Sequence, residues 1–150
     1  MPTPPSRAFA LANPPAMPGP SRYAFSHVAT VHAPARLVFV AGQGGGAEDG
    51  TRGVDFAGEV RSCLANVARA LAHAGAEMAD VYKLTVLVVD LTDERHDLLT
   101  AELQRAFAGG PYPAQQRGPR TPLLRTLIPV PRLSGPRMQI EIEATAALPA

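Results

Sequence analysis

Hydrophobic positions recur along this chain with two different periods, and the densest run is residues 84–89, Leu-Thr-Val-Leu-Val-Val. A strand over 81–89 is apolar on both faces, the mark of a strand covered on both sides. Before it, Phe56, Val60, Cys63, Leu64, Val67, Leu71 and Ala74 recur at three- and four-residue steps. That spacing makes one apolar stripe and predicts a helix over 55–74. Asp55 suits its N-cap and Gly75 its left-handed stop. A second helix is predicted over 93–108, with Leu98, Leu99, Leu103, Ala106 and Phe107 facing inward and Gly109-Gly110 ending it. His96, beside Glu94 and Asp97, reads there as a solvated helix position. Near the start, strands over 25–31 and 37–41 flank a turn at His32-Ala33-Pro34-Ala35, and their nearness argues for an antiparallel hairpin. Two more strands, 124–128 and 138–144, close the chain. Pro129 and Pro131 lack an N–H on one side of the first of these, so its far end is an edge or a bulge.

The predicted order is β-β, loop, α, β, α, β, β. Helix-linked strands imply a parallel crossover and the short connections at both ends imply hairpins, so the expected fold is α/β (α+β). It has a mixed sheet of about six strands with two helices packed on one face. The second apolar face of the strand at 84–89 then needs cover that no further segment of the chain supplies. Self-association follows from the pattern alone. Residues 1–20 hold seven of the sixteen prolines (Pro2, Pro4, Pro5, Pro14, Pro15, Pro18, Pro20). Proline fixes φ and removes a donor, so residues 1–22 read as an extended arm outside the core and 23–150 as one domain.

Composition narrows the function classes. The 150 residues are 46% apolar and 18% charged, as in a compact globular protein. Net charge is +1 with no block of Lys and Arg, which argues against a nucleic-acid footprint. The four histidines (His27, His32, His73, His96) have no metal-ligand spacing, and a lone Cys63 excludes an internal disulfide and a multi-cysteine metal site. Cys63 lies on the apolar helix stripe and reads as a core residue. No run approaches the ~20 apolar residues of a membrane span, and the N-terminus lacks a leader pattern, so a cytoplasmic location is expected. Gly42-Gln43-Gly44-Gly45-Gly46-Ala47 matches a dinucleotide pattern in letters. That pattern needs a helix to begin at once, and a polar loop follows instead, so the glycines read as a strand-ending turn. No metal or organic cofactor is expected.

The candidate chemistry lies in the closing strands. Each carries a charge that strand formation does not require: Arg125 on the face it shares with Leu127 and Pro129, and Glu141 on the face it shares with Glu143. If these strands share a sheet or meet across an interface, Arg125 and Glu141 can stand at opposite sides of one pocket. A guanidinium binds a carboxylate through two parallel hydrogen bonds and stays charged throughout. A partly buried carboxylate can take a proton from water. The pair suits hydrolysis of a small carboxylate-bearing substrate. Glu143 reads as an interface or solvent residue.

Four stretches in register give the chain a family likeness. They are Phe25-Ser26-His27-Val28, Leu37-Val38-Phe39-Val40-Ala41-Gly42-Gln43, and Asp80-Val81-Tyr82-Lys83-Leu84-Thr85-Val86 with Val89-Asp90-Leu91. The fourth runs from Arg125-Thr126 through Arg132-Leu133 to Ile140-Glu141-Ile142-Glu143-Ala144. From about Phe25 to Ala146 the chain resembles the RidA/YjgF family of enamine/imine deaminases. The resemblance implies a chorismate-mutase-like fold, a homotrimer with sites between subunits, and cofactor-free hydrolysis of imino acids such as 2-aminoacrylate to 2-keto acids and ammonia. By motif match it implies that Arg125 binds the substrate carboxylate and Glu141 directs water. It gives Phe25 the place of a family tyrosine, and Gly42 and Leu127 positions whose backbone contributes to the site. Leu127 stands for a frequent cysteine and Ala41 for a frequent serine. Counting from Asp90 puts Leu98 where an asparagine is often found. Arg117 and Arg120, in a loop longer than usual, compete with Arg125 as the anion clamp. The alternative reading is a non-catalytic member that senses a small carboxylate such as a 2-keto acid. A ribonuclease reading, also attached to the family, is disfavoured by the charge.

Overall fold

The computed structural model describes residues 8–17, 25–46, 55–108 and 123–150. The expected helix end at Gly109-Gly110 and the loop with Arg117 and Arg120 lie outside these residues. The strands are β1 (Phe9–Ala12), β2 (Val28–Val31), β3 (Ala35–Gln43), β4 (Val81–Val89), β5 (Leu124–Val130) and β6 (Ile140–Pro149). The helices are α1 (Phe56–His73) and α2 (Asp93–Ala106). Six strands are therefore present among the described residues, four in a mixed sheet of order β3-β6-β4-β5 and two in a separate ribbon, β1-β2.

Both helices start where side-chain caps allow. The Asp55 carboxylate accepts from the Gly58 N–H at 2.7 Å, and the Thr92 hydroxyl accepts from the Arg95 N–H at 3.1 Å. At the other end of α1, Gly75 adopts φ +70°, where a Cβ would strain the turn. Arg36 of β3 donates to the carbonyls of Ala74 (2.7 Å) and Gly75 (3.3 Å), placing a cation at the negative end of the helix. Val60, Cys63, Val67 and Leu71 of α1 join Leu99 and Leu103 of α2 over one face of the sheet. There they meet Val38, Val40, Leu84, Val86, Val88, Ile140, Ile142 and Ala144. Cys63 is buried in this core, its Sγ 3.7 Å from the Ile140 carbonyl oxygen.

Pairing departs from the sequence reading at both ends of the chain. β2 does not form a hairpin with β3. It pairs antiparallel with β1 (Phe9↔Val31 to Ala12↔Val28), while β3 pairs with β6 along nearly its whole length (Ala35↔Pro149 to Gln43↔Ile142). The arm is thus not wholly outside the core. Its proline-free stretch Phe-Ala-Leu-Ala keeps the N–H groups a strand needs, and Phe9 is buried against Ala147 and Tyr82. The Phe9 and Tyr82 rings lie 5.7 Å apart. The closing strands do not form a hairpin either, because β4 lies between them, parallel to β5 and antiparallel to β6. α2 supplies the long crossover that the parallel pair β4/β5 requires. β5 is an edge strand, which accommodates Pro129. β6 starts at Ile140, two residues later than expected, and the first strand starts at Val28 rather than Phe25.

Two packing expectations also change. Leu98 does not face inward; it is 37% exposed on α2. The face of the sheet away from the helices receives partial cover from this same chain, since the β1-β2 ribbon closes over the end near Tyr82 and Ala147. Beyond it Leu37, Phe39 and Ile128 remain exposed, Phe39 by 74%. Among the described residues no helix is long and apolar enough to cross a membrane.

Candidate functional site

Strand register decides where the two charges of the closing strands fall. Arg125 lies beside Leu84 and Glu141 beside Leu87, and neighbouring residues in register share a face. Leu84 is buried beneath the helices; Leu87 points to the other side. Within one chain Arg125 and Glu141 therefore lie on opposite faces of the sheet with β4 between them. The expected single pocket does not form inside the chain, because a three-residue offset along β4 is odd and reverses the face.

Arg125 stands at the β5 edge on the helix side. It is half-buried, and its Nη2 lies 3.3 Å from Nε2 of His96. His96 is thus not a solvated helix position; it is half-buried and turned toward β5, one half-turn before Leu98. Leu127 shares the face of Arg125 and packs against the main core. Phe25 is carried to the same edge by its neighbour. The Ser26 N–H donates to the Leu123 carbonyl at 3.1 Å, Ser26 bridges Leu124 in parallel register, and the Phe25 ring meets the His27 ring edge-on at 5.2 Å.

Gly42 and Glu141 meet on the opposite face. The register of β3 against β6 shifts between Val40 and Gln43, and Gly42 sits in that irregularity. A Cβ built on Gly42 would lie 1.9 Å from Glu141 Oε1 and 2.6 Å from its carboxyl carbon. Any side chain here would displace the carboxylate, so glycine is required for close approach rather than for an unusual φ. Glu143, on the same face, is exposed.

A buried polar network that sequence reasoning missed holds the segments on either side of this pair. Glu59 of α1 is 1% exposed and accepts from the Gln139 backbone N–H at 3.0 Å and from its Nε2 at 2.8 Å. Arg95 of α2 donates to Gln139 Oε1 at 2.9 Å and to the Val89 carbonyl at 2.6 Å, with its guanidinium 4.9 Å from the centre of the Phe56 ring. Gly45 lies against Glu59, and Asn66 Nδ2 donates to the carbonyls of Gly44 (2.8 Å) and Gly46 (2.9 Å). The glycine turn is thereby pinned to α1. The signal was present: Glu59 interrupts the apolar stripe between Phe56 and Cys63, where a charge must find buried partners. Among the described residues no group of three or more His, Cys, Asp or Glu is placed to hold a metal ion.

A family model described as Endoribonuclease L-PSP matches residues 19–148, and the solved structure of a Rid-family protein, YyfB from Yersinia pestis, superposes on the chain with a TM-score of 0.80. That structure is 29% identical and covers 94% of this chain, which in turn covers 99% of it. The chain belongs to the RidA/YjgF family. Within that family, the RutC family protein YjgH of Escherichia coli K12 is 36% identical over 77 residues, 51% of this chain. The matched stretch spans only 58% of that curated relative's length. The structure of E. coli TdcF with bound serine is 26% identical with a TM-score of 0.62, over 76% of this chain and 81% of its own. The family fold of two helices on a mixed sheet agrees with the one expected from the resemblance.

Proposed function

We propose that the protein is a cofactor-independent hydrolase of small enamine and imine intermediates, 2-aminoacrylate-like imino acids, which it converts to 2-keto acids and ammonia. The observation that carries this reading is the split of the site. One chain presents an arginine at the β5 edge and, on the opposite, partly uncovered face, a carboxylate held over a glycine. Two copies in contact can bring Arg125, Phe25 and Leu127 of one up to Glu141 and Gly42 of the other. The exposed Leu37, Phe39 and Ile128 give that contact an apolar component. The assembly proposed is the homotrimer that the family resemblance implies.

In this reading Arg125 binds the substrate carboxylate through a bidentate pair of charge-assisted hydrogen bonds. Glu141 accepts a proton from water as its oxygen bonds to the imine carbon, and the C=N electron pair passes to nitrogen. The proton held by Glu141 then goes to nitrogen, and the hydroxyl proton of the tetrahedral intermediate follows it through the same carboxylate. The C–N bond breaks as the C=O bond forms, and ammonia leaves behind a ketone. The developing positive charge on nitrogen is stabilised by the same carboxylate. A relative whose structure holds serine, itself a small carboxylate, supports this substrate class. The family model's description names an endoribonuclease, but a net charge of +1 without a basic run argues against that reading.

The test is to generate 2-aminoacrylate in situ and follow its loss with wild type, Arg125→Ala and Glu141→Gln. Arg125→Ala removes a charge-assisted contact of about 1.5–3 kcal/mol and is expected to cost more than about tenfold in rate. Glu141→Gln keeps the shape without the proton acceptor and is expected to retain 2-keto acid binding while turnover collapses. Binding lost only in Arg125→Ala, with no turnover by any of the three proteins, would make the protein a carboxylate sensor instead.

A further inference from the structure

The geometry points to His96 as a positioning residue that orients the Arg125 guanidinium for carboxylate binding; this inference rests on the proposed role of Arg125. A guanidinium carries only donors, so an imidazole nitrogen 3.3 Å from Nη2 must be the acceptor. His96 Nε2 is then unprotonated, and the ring proton is on Nδ1, a tautomer assigned from its partner. The contact ties the tip of a long, rotamer-rich side chain on an edge strand to a helix anchored by Leu99 and Leu103 in the core. Bidentate recognition depends on the plane of the guanidinium, and a hydrogen bond to one terminal nitrogen fixes that plane. Two spread features of the sequence thus become one unit: a histidine at the start of α2 and an arginine near the start of β5.

A positioning role makes a different prediction from a packing role or a proton-transfer role. Replacing His96 by leucine keeps bulk but removes the acceptor, whereas glutamine places an acceptor oxygen near the former Nε2. With the imino acid generated in situ, His96→Leu is expected to raise KM about tenfold, with kcat within about twofold of wild type. His96→Gln is expected to stay within about threefold of wild-type KM. Calorimetric titration with 2-oxobutanoate should follow the same order, and thermal melting should be alike for all three proteins. Equal KM changes in the leucine and glutamine variants, or a fall confined to kcat, would overturn the positioning role. Arg125→Ala is the control that separates this inference from its foundation. If Arg125→Ala binds the keto acid as wild type does, the carboxylate-clamp reading fails and this inference fails with it. If Arg125→Ala loses binding while His96→Leu keeps it, only the inference about His96 fails.

Discussion

On the helix-covered face of the four-stranded sheet, Leu84, Val86, Val88, Ile140 and Ile142 are buried; on the opposite face, Leu37, Phe39 and Ile128 are exposed. Both faces carry large apolar residues, yet one is sealed within the chain and the other only at the end where the β1-β2 ribbon lies. The buried face holds the fold together. The open face holds Glu141 over Gly42, and its apolar surroundings suit a second copy of the chain. The packing that holds the fold thus lies on one side of the sheet. The two charges proposed for the site are split, Glu141 on the open side and Arg125 at the edge strand on the sealed side.

This division can be broken or sharpened by substitution. The largest effect is expected on the sealed face, where Leu103→Ala should cost about 2–5 kcal/mol in urea unfolding by leaving a cavity in the core. Next comes the network behind the site. Glu59→Ala strands the Gln139 N–H and amide without their acceptor and should cost about 1–3 kcal/mol, with a loss of turnover as the segment leading to Glu141 loosens. Gly42→Ala should cost under about 1 kcal/mol, because the clashing atoms are the tip of a flexible side chain, but turnover should fall more than about tenfold as the carboxylate moves. The smallest stability change is expected on the open face. Phe39→Thr should alter unfolding of the dissociated chain by no more than about 0.5 kcal/mol, while light scattering on dilution should show weaker assembly. Equal stability losses from Leu103→Ala and Phe39→Thr would erase the distinction between the faces.

The same contrast explains what could be read in the sequence. Both helices and β4 were legible because their signals are local: a 3.6-residue stripe, an N-cap, a left-handed glycine, and an unbroken apolar run. Strand partners were not, since Phe9↔Val31 and Ala35↔Pro149 join residues that no short-range rule connects. β1 was hidden by the prolines on either side of a four-residue strand. Arg125 and Glu141 stood out as charges in apolar strands, but their faces depended on register against β4, and a one-residue difference in register would have placed both on one side. His96 carried no sequence signal beyond its charge neighbours; its place beside Arg125 depends on the approach of β5.

β6 is the last strand in chain order, and it is also the strand that joins the sheet, lying between β3 and β4. Until it is in place, β3 has no ladder partner and β4-β5 forms a separate pair. A ribosome making this chain therefore releases helices and strand pairs early but withholds the complete sheet until residues 140–149 have emerged. Completion of the sheet must await synthesis of residues 140–149, with this long-range closure as a late step. The open face takes shape only after that step, so the proposed contact between two copies would have to wait until each chain presents a finished surface.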